Sequence, residues 1–290
     1  MKYIFLLLFV CSSLLSVAQH KLEKLWETDT VVAIPESVLP DFSKNILYVS
    51  LIDGGGWDAD GKGGIGRLTP DGKKYDGTWI TGLNAPKGLG FSGNNLYAAD
   101  ISDVVVVNMP KGKIEQKIAI DSAMGLNDIT VDAKGVVYVS DSKTAKIWRI
   151  ENSRPELFLE NIRGVNGLKA IGNELYIGSG KTFMKADMHG NKTVLAELPQ
   201  GIDGIEPVGN GDFILTAWNG YIFYVPAKGN FEILLDSHNE KMNTADIGYD
   251  ASKKILYVPT FNAKKVVAYK LTASTAIKPA VFLMDGERLN

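Results

Sequence analysis

Val137-Tyr138-Val139-Ser140-Asp141 is a short, β-rich run, and it decides the fold because variants of it occur six times along the chain. Earlier copies are Tyr48-Val49-Ser50, closing residues 46–51, and Leu96-Tyr97-Ala98-Ala99-Asp100. Later copies are Leu175-Tyr176-Ile177-Gly178-Ser179, Phe213-Ile214-Leu215-Thr216-Ala217-Trp218 and Leu256-Tyr257-Val258-Pro259-Thr260. A tight polar turn precedes each, for example Ala133-Lys134-Gly135 or Gly172-Asn173. β-rich runs joined by such turns are hairpins.

Before each turn lies another short strand. The first residues of these strands are Glu36, Lys87, Asn127, Asn166, Asp203 and Ala245, spaced 51, 40, 39, 37 and 42 residues apart. After each repeated run come two further strands, such as Lys146-Ile147-Trp148-Arg149-Ile150 followed by Glu156-Leu157-Phe158-Leu159. Four short strands at a period near 40 residues predict an all-β, six-bladed β-propeller with four antiparallel strands per blade. No segment sustains a helical period.

The sixth unit lacks its fourth strand after Val266-Val267-Ala268-Tyr269. Lys21-Leu22-Glu23-Lys24-Leu25-Trp26-Glu27 resembles the fourth strands elsewhere, so the mature N-terminus is expected to close blade six. Ala280-Val281-Phe282-Leu283-Met284 is the alternative occupant of that edge.

The chain has 290 residues, a formal charge of -2 and 45% hydrophobic residues, enough for one large core. Near-neutral charge gives no basic face for nucleic acid, and no feature signals an oligomer. Residues 1–19 read as a signal peptide. Lys2 gives a basic start, residues 4–15 are mainly apolar but too few for a comfortable span, and Ser16-Val17-Ala18-Gln19 offers cleavage near Ala18 or Gln19. Cys11, the one cysteine, follows Leu8-Phe9-Val10 rather than the small residues of a lipidation signal. The expectation is a single periplasmic or secreted domain over residues 20–290, with no disulfide and no membrane contact after processing.

In a propeller the first strand of each blade lines the central channel, so its leading residues meet at one mouth. Here they are Glu, Lys, Asn, Asn, Asp and Ala, an oxygen-rich set suited to a hard cation such as Ca²⁺. Softer metals favour His or Cys, and none of His20, His189 and His238 starts an inner strand. The competing explanation is turn chemistry, since Asn127-Asp128, Asn166-Gly167 and Asp203-Gly204 are ordinary turn dipeptides. Glu36, just after Pro35, has no turn-forming role.

Those residues make the whole mature chain resemble the SMP-30/gluconolactonase/luciferin-regenerating-like propellers. Residues 36–51 are similar to that family's blade-one Glu, strand and turn. Asn127-Asp128-Ile129, Asn166-Gly167-Leu168 and Asp203-Gly204-Ile205 are similar to its Asn-Asp-Gly, Asn-Gly and Asp-Gly stretches in blades three to five. The resemblance implies that Glu36, Asn127, Asn166 and Asp203 ligate a divalent cation, Ca²⁺ first, with Zn²⁺, Mg²⁺ or Mn²⁺ as alternatives. It also implies hydrolysis of a small lactone or ester, with Asp203 as proton acceptor. Two departures stand out. Ser37-Val38 replaces the usual Gly-Pro, and Gly125 stands where many sugar lactonases carry Arg, which puts a sugar-acid lactone in doubt.

Other residues are candidates for substrate binding. Lys87 brings a positive charge to the mouth from blade two, or is a solvated rim lysine. Trp57, in the long glycine-rich loop 53–64, is a candidate lid over the mouth, against a mobile hairpin end. Asp58-Ala59-Asp60-Gly61 hints at a calcium loop but lacks its closing Glu. Asp128 and Trp218 are the remaining candidates, and Asp100 and Asp141 suit turn initiation better than a pocket rim. No serine-nucleophile elbow is present. The alternative function is a non-catalytic propeller, NHL- or strictosidine-synthase-like, that binds a ligand or protein with a structural cation or none.

Overall fold

The computed structural model describes residues 18–29 and 31–275. It contains six four-stranded antiparallel sheets arranged as a six-bladed β-propeller, with two short 3₁₀ turns as its only helical elements among the described residues. Blade one runs Pro35–Asp41, Ile46–Leu51, Gly63–Leu68 and Tyr75–Leu83 from channel to rim. Blades two to five repeat that order, and their inner strands are Pro86–Ser92, Leu126–Val131, Val165–Ile171 and Ile205–Gly209. Blade six is built from Gly248–Asp250, Ile255–Pro259, Val266–Thr275 and, outermost, Ala18–Glu27.

A single blade has two apolar faces and cannot bury either alone. The core is therefore divided into six clusters, one between each pair of neighbours. Tyr48, Ile65 and Leu83 of blade one pack with Leu89, Leu96 and Val105 of blade two. Val38, Val49 and Leu68 meet Tyr257, Val266 and Ala268 of blade six across the seam. The repeated tyrosines Tyr48, Tyr138 and Tyr257 are among the largest fully buried side chains, which is why the run recurs.

The expected closure holds. The N-terminal strand pairs antiparallel with the third strand of blade six, from Ala18 opposite Thr275 to Glu27 opposite Val267. Leu22 packs into the cluster between blades five and six, and Trp26 into the seam. The indole also lies where a side chain on Gly72 would fall, 2.6 Å from an added Cβ. Lys265 bonds Glu27 at the end of the latch. The expected signal peptide, apart from its final two residues, and the alternative strand at residues 280–284 lie outside the described residues.

Candidate functional site

The inner strands do not run straight to the mouth. In blades one to four the ladder breaks between Pro35 and Val38, Pro86 and Leu89, Leu126 and Ile129, and Val165 and Leu168. Each break is a bulge that contains the leading residue, Glu36, Lys87, Asn127 or Asn166, and a bulge re-aims a side chain out of the pleat. In blade five the equivalent residue, Asp203, precedes the strand and is fixed by Asp203 N donating to Thr216 O at 2.7 Å.

Bulging leaves backbone N–H groups without a ladder partner, and the repeated run supplies one. Ser50 Oγ accepts from Ser37 N at 2.8 Å, Ser140 Oγ from Asp128 N at 2.9 Å, and Thr216 Oγ1 from Gly204 N at 2.8 Å. The hydroxyl two residues after Tyr48, Tyr138 and Ile214 thus satisfies the N–H that follows the leading residue in blades one, three and five.

Gly167 and Gly204 are strand-entry glycines, since neither has a left-handed φ. They are required by crowding: a Cβ on Gly167 would lie 1.9 Å from Asp203 O, and one on Gly204 would lie 2.8 Å from Ile247 N. A Cβ on Gly88 would likewise meet Asp128 at 2.5 Å. Close packing against the next blade, rather than turn chemistry, accounts for these glycines.

Glu36, Lys87, Asn127 and Asp203 are buried beneath the mouth, and Asn166 is half-buried beside them. Asn166 Nδ2 donates to Asp203 Oδ1 at 2.9 Å. Asn127 Nδ2 donates to Ser142 Oγ at 3.0 Å, and that hydroxyl donates on to Val165 O at 2.6 Å. Both amides therefore commit their nitrogens to the protein. Among the described residues six buried side-chain polar atoms lack a hydrogen-bond partner, and two of them, Glu36 Oε2 and Asn166 Oδ1, belong to this group. An orphaned buried oxygen is costly, which makes its recurrence at one place informative.

Electrostatics agree with the packing. Burial, then the nearby charge of Asp203, pushes the Glu36 carboxyl well above the usual range, with Lys87 opposing. Burial, then Asp246, pushes Asp203 up to about 8. Burial pulls the Lys87 ammonium down, against the attraction of Glu36 and Asp100. Among the described residues no three His, Cys, Asp or Glu side chains form a metal-holding group, so the donors on offer are two carboxylates and two carboxamides. That set fits a hard, oxygen-preferring cation and not a soft one.

Trp57 lies over this mouth. Its ring centroid is 3.9 Å from Lys87 Nζ, which also donates to Gly56 O and, at 3.1 Å, to Ala85 O. Lys87 is thus an internal lysine tethering the loop, not a solvated one. Residues 54–60 fold back on themselves, because side chains at Gly54 and Gly55 would run into the carboxylates of Asp60 and Asp58. Asp60 is paired with Lys62 at 3.0 Å.

Two other candidates lead elsewhere. Asp128 spends its carboxylate on Ile129 N at 2.6 Å and Leu168 N at 2.5 Å, stitching blade three to blade four. Trp218 is half exposed, packs edge-on to Phe261 at 5.5 Å and lines a separate groove of about 550 Å³ with His238 and Asn262. Asp100 and Asp141 serve as loop anchors: Asp100 accepts from Asn84 N and Ala85 N, and Asp141 from Met124 N, Lys143 N and Thr144 N.

The sequence reading missed Asp246 and Lys143. Ala245 leads blade six with no donor, but its neighbour Asp246 accepts from Ser37 Oγ at 2.5 Å, and burial pushes it up to about 7. Asp246 also lines a channel cavity of about 140 Å³ with Asp128, Lys169 and Glu206, the last two paired at 2.8 Å. Lys143 reaches the Trp57 ring from blade three, 4.6 Å from its centroid.

No protein-family model matches this chain, and no curated protein sequence matches it. Solved structures do. A streptogramin B lyase aligns over 88% of this chain and 98% of its own with a TM-score of 0.63 and 12% identity. Virginiamycin B lyase from Staphylococcus aureus aligns over 88% and 100% with a TM-score of 0.59 and 16% identity. A protein of unknown function from Bacteroides thetaiotaomicron aligns over 88% and 77% with a TM-score of 0.64 and 11% identity. At these identities the likeness is one of fold.

Proposed function

We propose that this propeller is an exported, metal-dependent hydrolase of small lactones or esters, as its resemblance to the SMP-30/gluconolactonase-like propellers implies. The observation that carries the reading is the pair of unpartnered buried oxygens, Glu36 Oε2 and Asn166 Oδ1, on two residues that the repeat independently assigns to one ring. Glu36, Asn127, Asn166 and Asp203 would hold the cation, with Ca²⁺ the best match to an all-oxygen set. Bound there, a divalent ion supplies polarisation of a carbonyl oxygen and a lowered pKa for adjacent water.

The chain's own residues do the rest. Asn127 and Asn166 contribute dipoles without charge, their nitrogens held by Ser142 and Asp203. Asp203 accepts the proton from the attacking water, and its bond from Asn166 fixes the carboxylate's orientation. Glu36 and Lys87 lie within electrostatic reach of each other and of Asp203, so one ammonium faces two carboxyls and leaves room for a further positive charge. Trp57 screens the group from water, which strengthens each of these interactions.

The test is turnover of a chemically diverse lactone and ester panel by purified protein, abolished by chelator and restored by a divalent ion. Products are weighed by mass spectrometry. Hydrolysis adds one water to the substrate, whereas the eliminative cleavage that the lyases among the structural neighbours suggest adds none. Absence of any turnover by metal-loaded protein supports the second reading, a non-catalytic binding propeller. That reading draws on Lys87, whose ammonium already offers Glu36 and Asp203 a counter-charge.

A further inference from the structure

Lys143 occupies a recess that its neighbour leaves open. Gly125 has no side chain, and a Cβ built there would meet Lys143 Cγ at 2.6 Å and Cδ at 2.9 Å. The lysine stem therefore lies across Gly125, which directs its ammonium inward over the mouth. Its backbone is held in place as well, because Asp141 Oδ1 accepts from Lys143 N at 3.1 Å and from Thr144 N at 3.0 Å. The ammonium ends 4.6 Å from the centroid of Trp57, on the ring that Lys87 Nζ approaches at 3.9 Å.

Two ammonium groups on one indole repel each other, and the presence of Lys143 makes Lys87 harder to protonate. The indole's π-face offsets only part of that cost. The two lysines differ in what else they touch. Lys87 is buried and donates to Gly56 O and Ala85 O. Lys143 is exposed and makes no salt bridge among the described residues. One positive group at the mouth is thus committed to the lid, and the other is held in position with its hydrogen-bonding capacity free.

We propose that Lys143, seated in the Gly125 recess against Trp57, is the specificity-determining residue for a substrate that carries a carboxylate beside its scissile ester or lactone. This rests on the hydrolase reading for the scissile bond but not for the carboxylate. A monoanion is the right size of charge. It matches the single ammonium that the mouth leaves free.

The experiment measures binding by calorimetry, with and without calcium, using monomethyl glutarate as the anionic probe and dimethyl glutarate as its neutral counterpart. Wild type should bind the anion about tenfold more tightly than the diester, the preference expected of one charge-assisted contact. Raising the salt concentration should shrink that preference. Lys143→Met, which keeps the stem, should abolish it without weakening the diester, and Lys143→Arg should retain it. Gly125→Ala, which evicts the stem, should abolish it as well. An unchanged ratio in Lys143→Met, equal binding of the two probes by wild type, or no binding of either overturns the proposal. Because the ratio needs no turnover, an inactive protein that keeps the preference sinks only the hydrolase reading. A protein that turns over esters without the preference sinks only this one.

Discussion

Asn166 gives an amide hydrogen to Asp203 across 2.9 Å and keeps its own Oδ1 buried without a partner. The bond fixes the amide's direction, so an oxygen and not a nitrogen is left at the mouth. With Glu36 Oε2 in the same condition, the site is short of positive partners in its own chain.

Glu36→Gln and Asp203→Asn should each weaken calcium binding at least about tenfold, roughly 1.4 kcal/mol or more, measured by calorimetry. The same variants should melt no lower than wild type without calcium, because each replaces a desolvated acid with a neutral group of equal shape. Unchanged affinity in both would show that these oxygens are not the ligands.

Stability without a cation should fall as pH rises. Asp203 is pushed up to about 8 and Asp246 to about 7, both from the ordinary aspartate value of 3.8. A carboxyl with a raised folded-state pKa favours the folded chain fully below its unfolded value and loses that advantage as pH climbs through the folded one. The melting temperature of chelated protein should therefore decline from about pH 4 to about pH 8. Calcium should flatten the decline, since the cation favours the ionised acids. A profile flat in both conditions would contradict the burial of these charges.

Gly167→Ala should destabilise the fold by about 2 kcal/mol or more in denaturant titration, since its Cβ would press on Asp203 O at 1.9 Å. Gly56→Ala is the control, with nothing within 4 Å of the added carbon. Equal effects would mean that the inner strands are not packed as described.

The repeat made most of this legible. Matching each Tyr-containing run to its turn aligned the strands before it, and the leading residues converge because rotational symmetry requires it. Turn chemistry obscured part of the picture. Asn166-Gly167 and Asp203-Gly204 look like turn dipeptides, and only the distance to the next blade explains their glycines. Asp246 was hidden because the alignment credits blade six with Ala245. Lys143 was hidden for a similar reason: its role depends on space above Gly125, and a missing side chain shows nothing in sequence about who fills its place.

Deleting residues 18–27 should lower the melting temperature and promote association. The third strand of blade six would lose its partner, exposing an unpaired edge, and Leu22 and Trp26 would leave their clusters. Calorimetry and size-exclusion chromatography read the two effects. A monomer of unchanged melting temperature would show that the latch is dispensable.

The latch also imposes an order of events. Gln19 faces Ser274, so the latch finds its place only beside a strand made long after it. Until that strand is made, the nascent protein can assemble blades but has nothing with which to complete the circle. Closing so wide a span is slow compared with forming local hairpins. An open ring is therefore the intermediate that the connectivity favours.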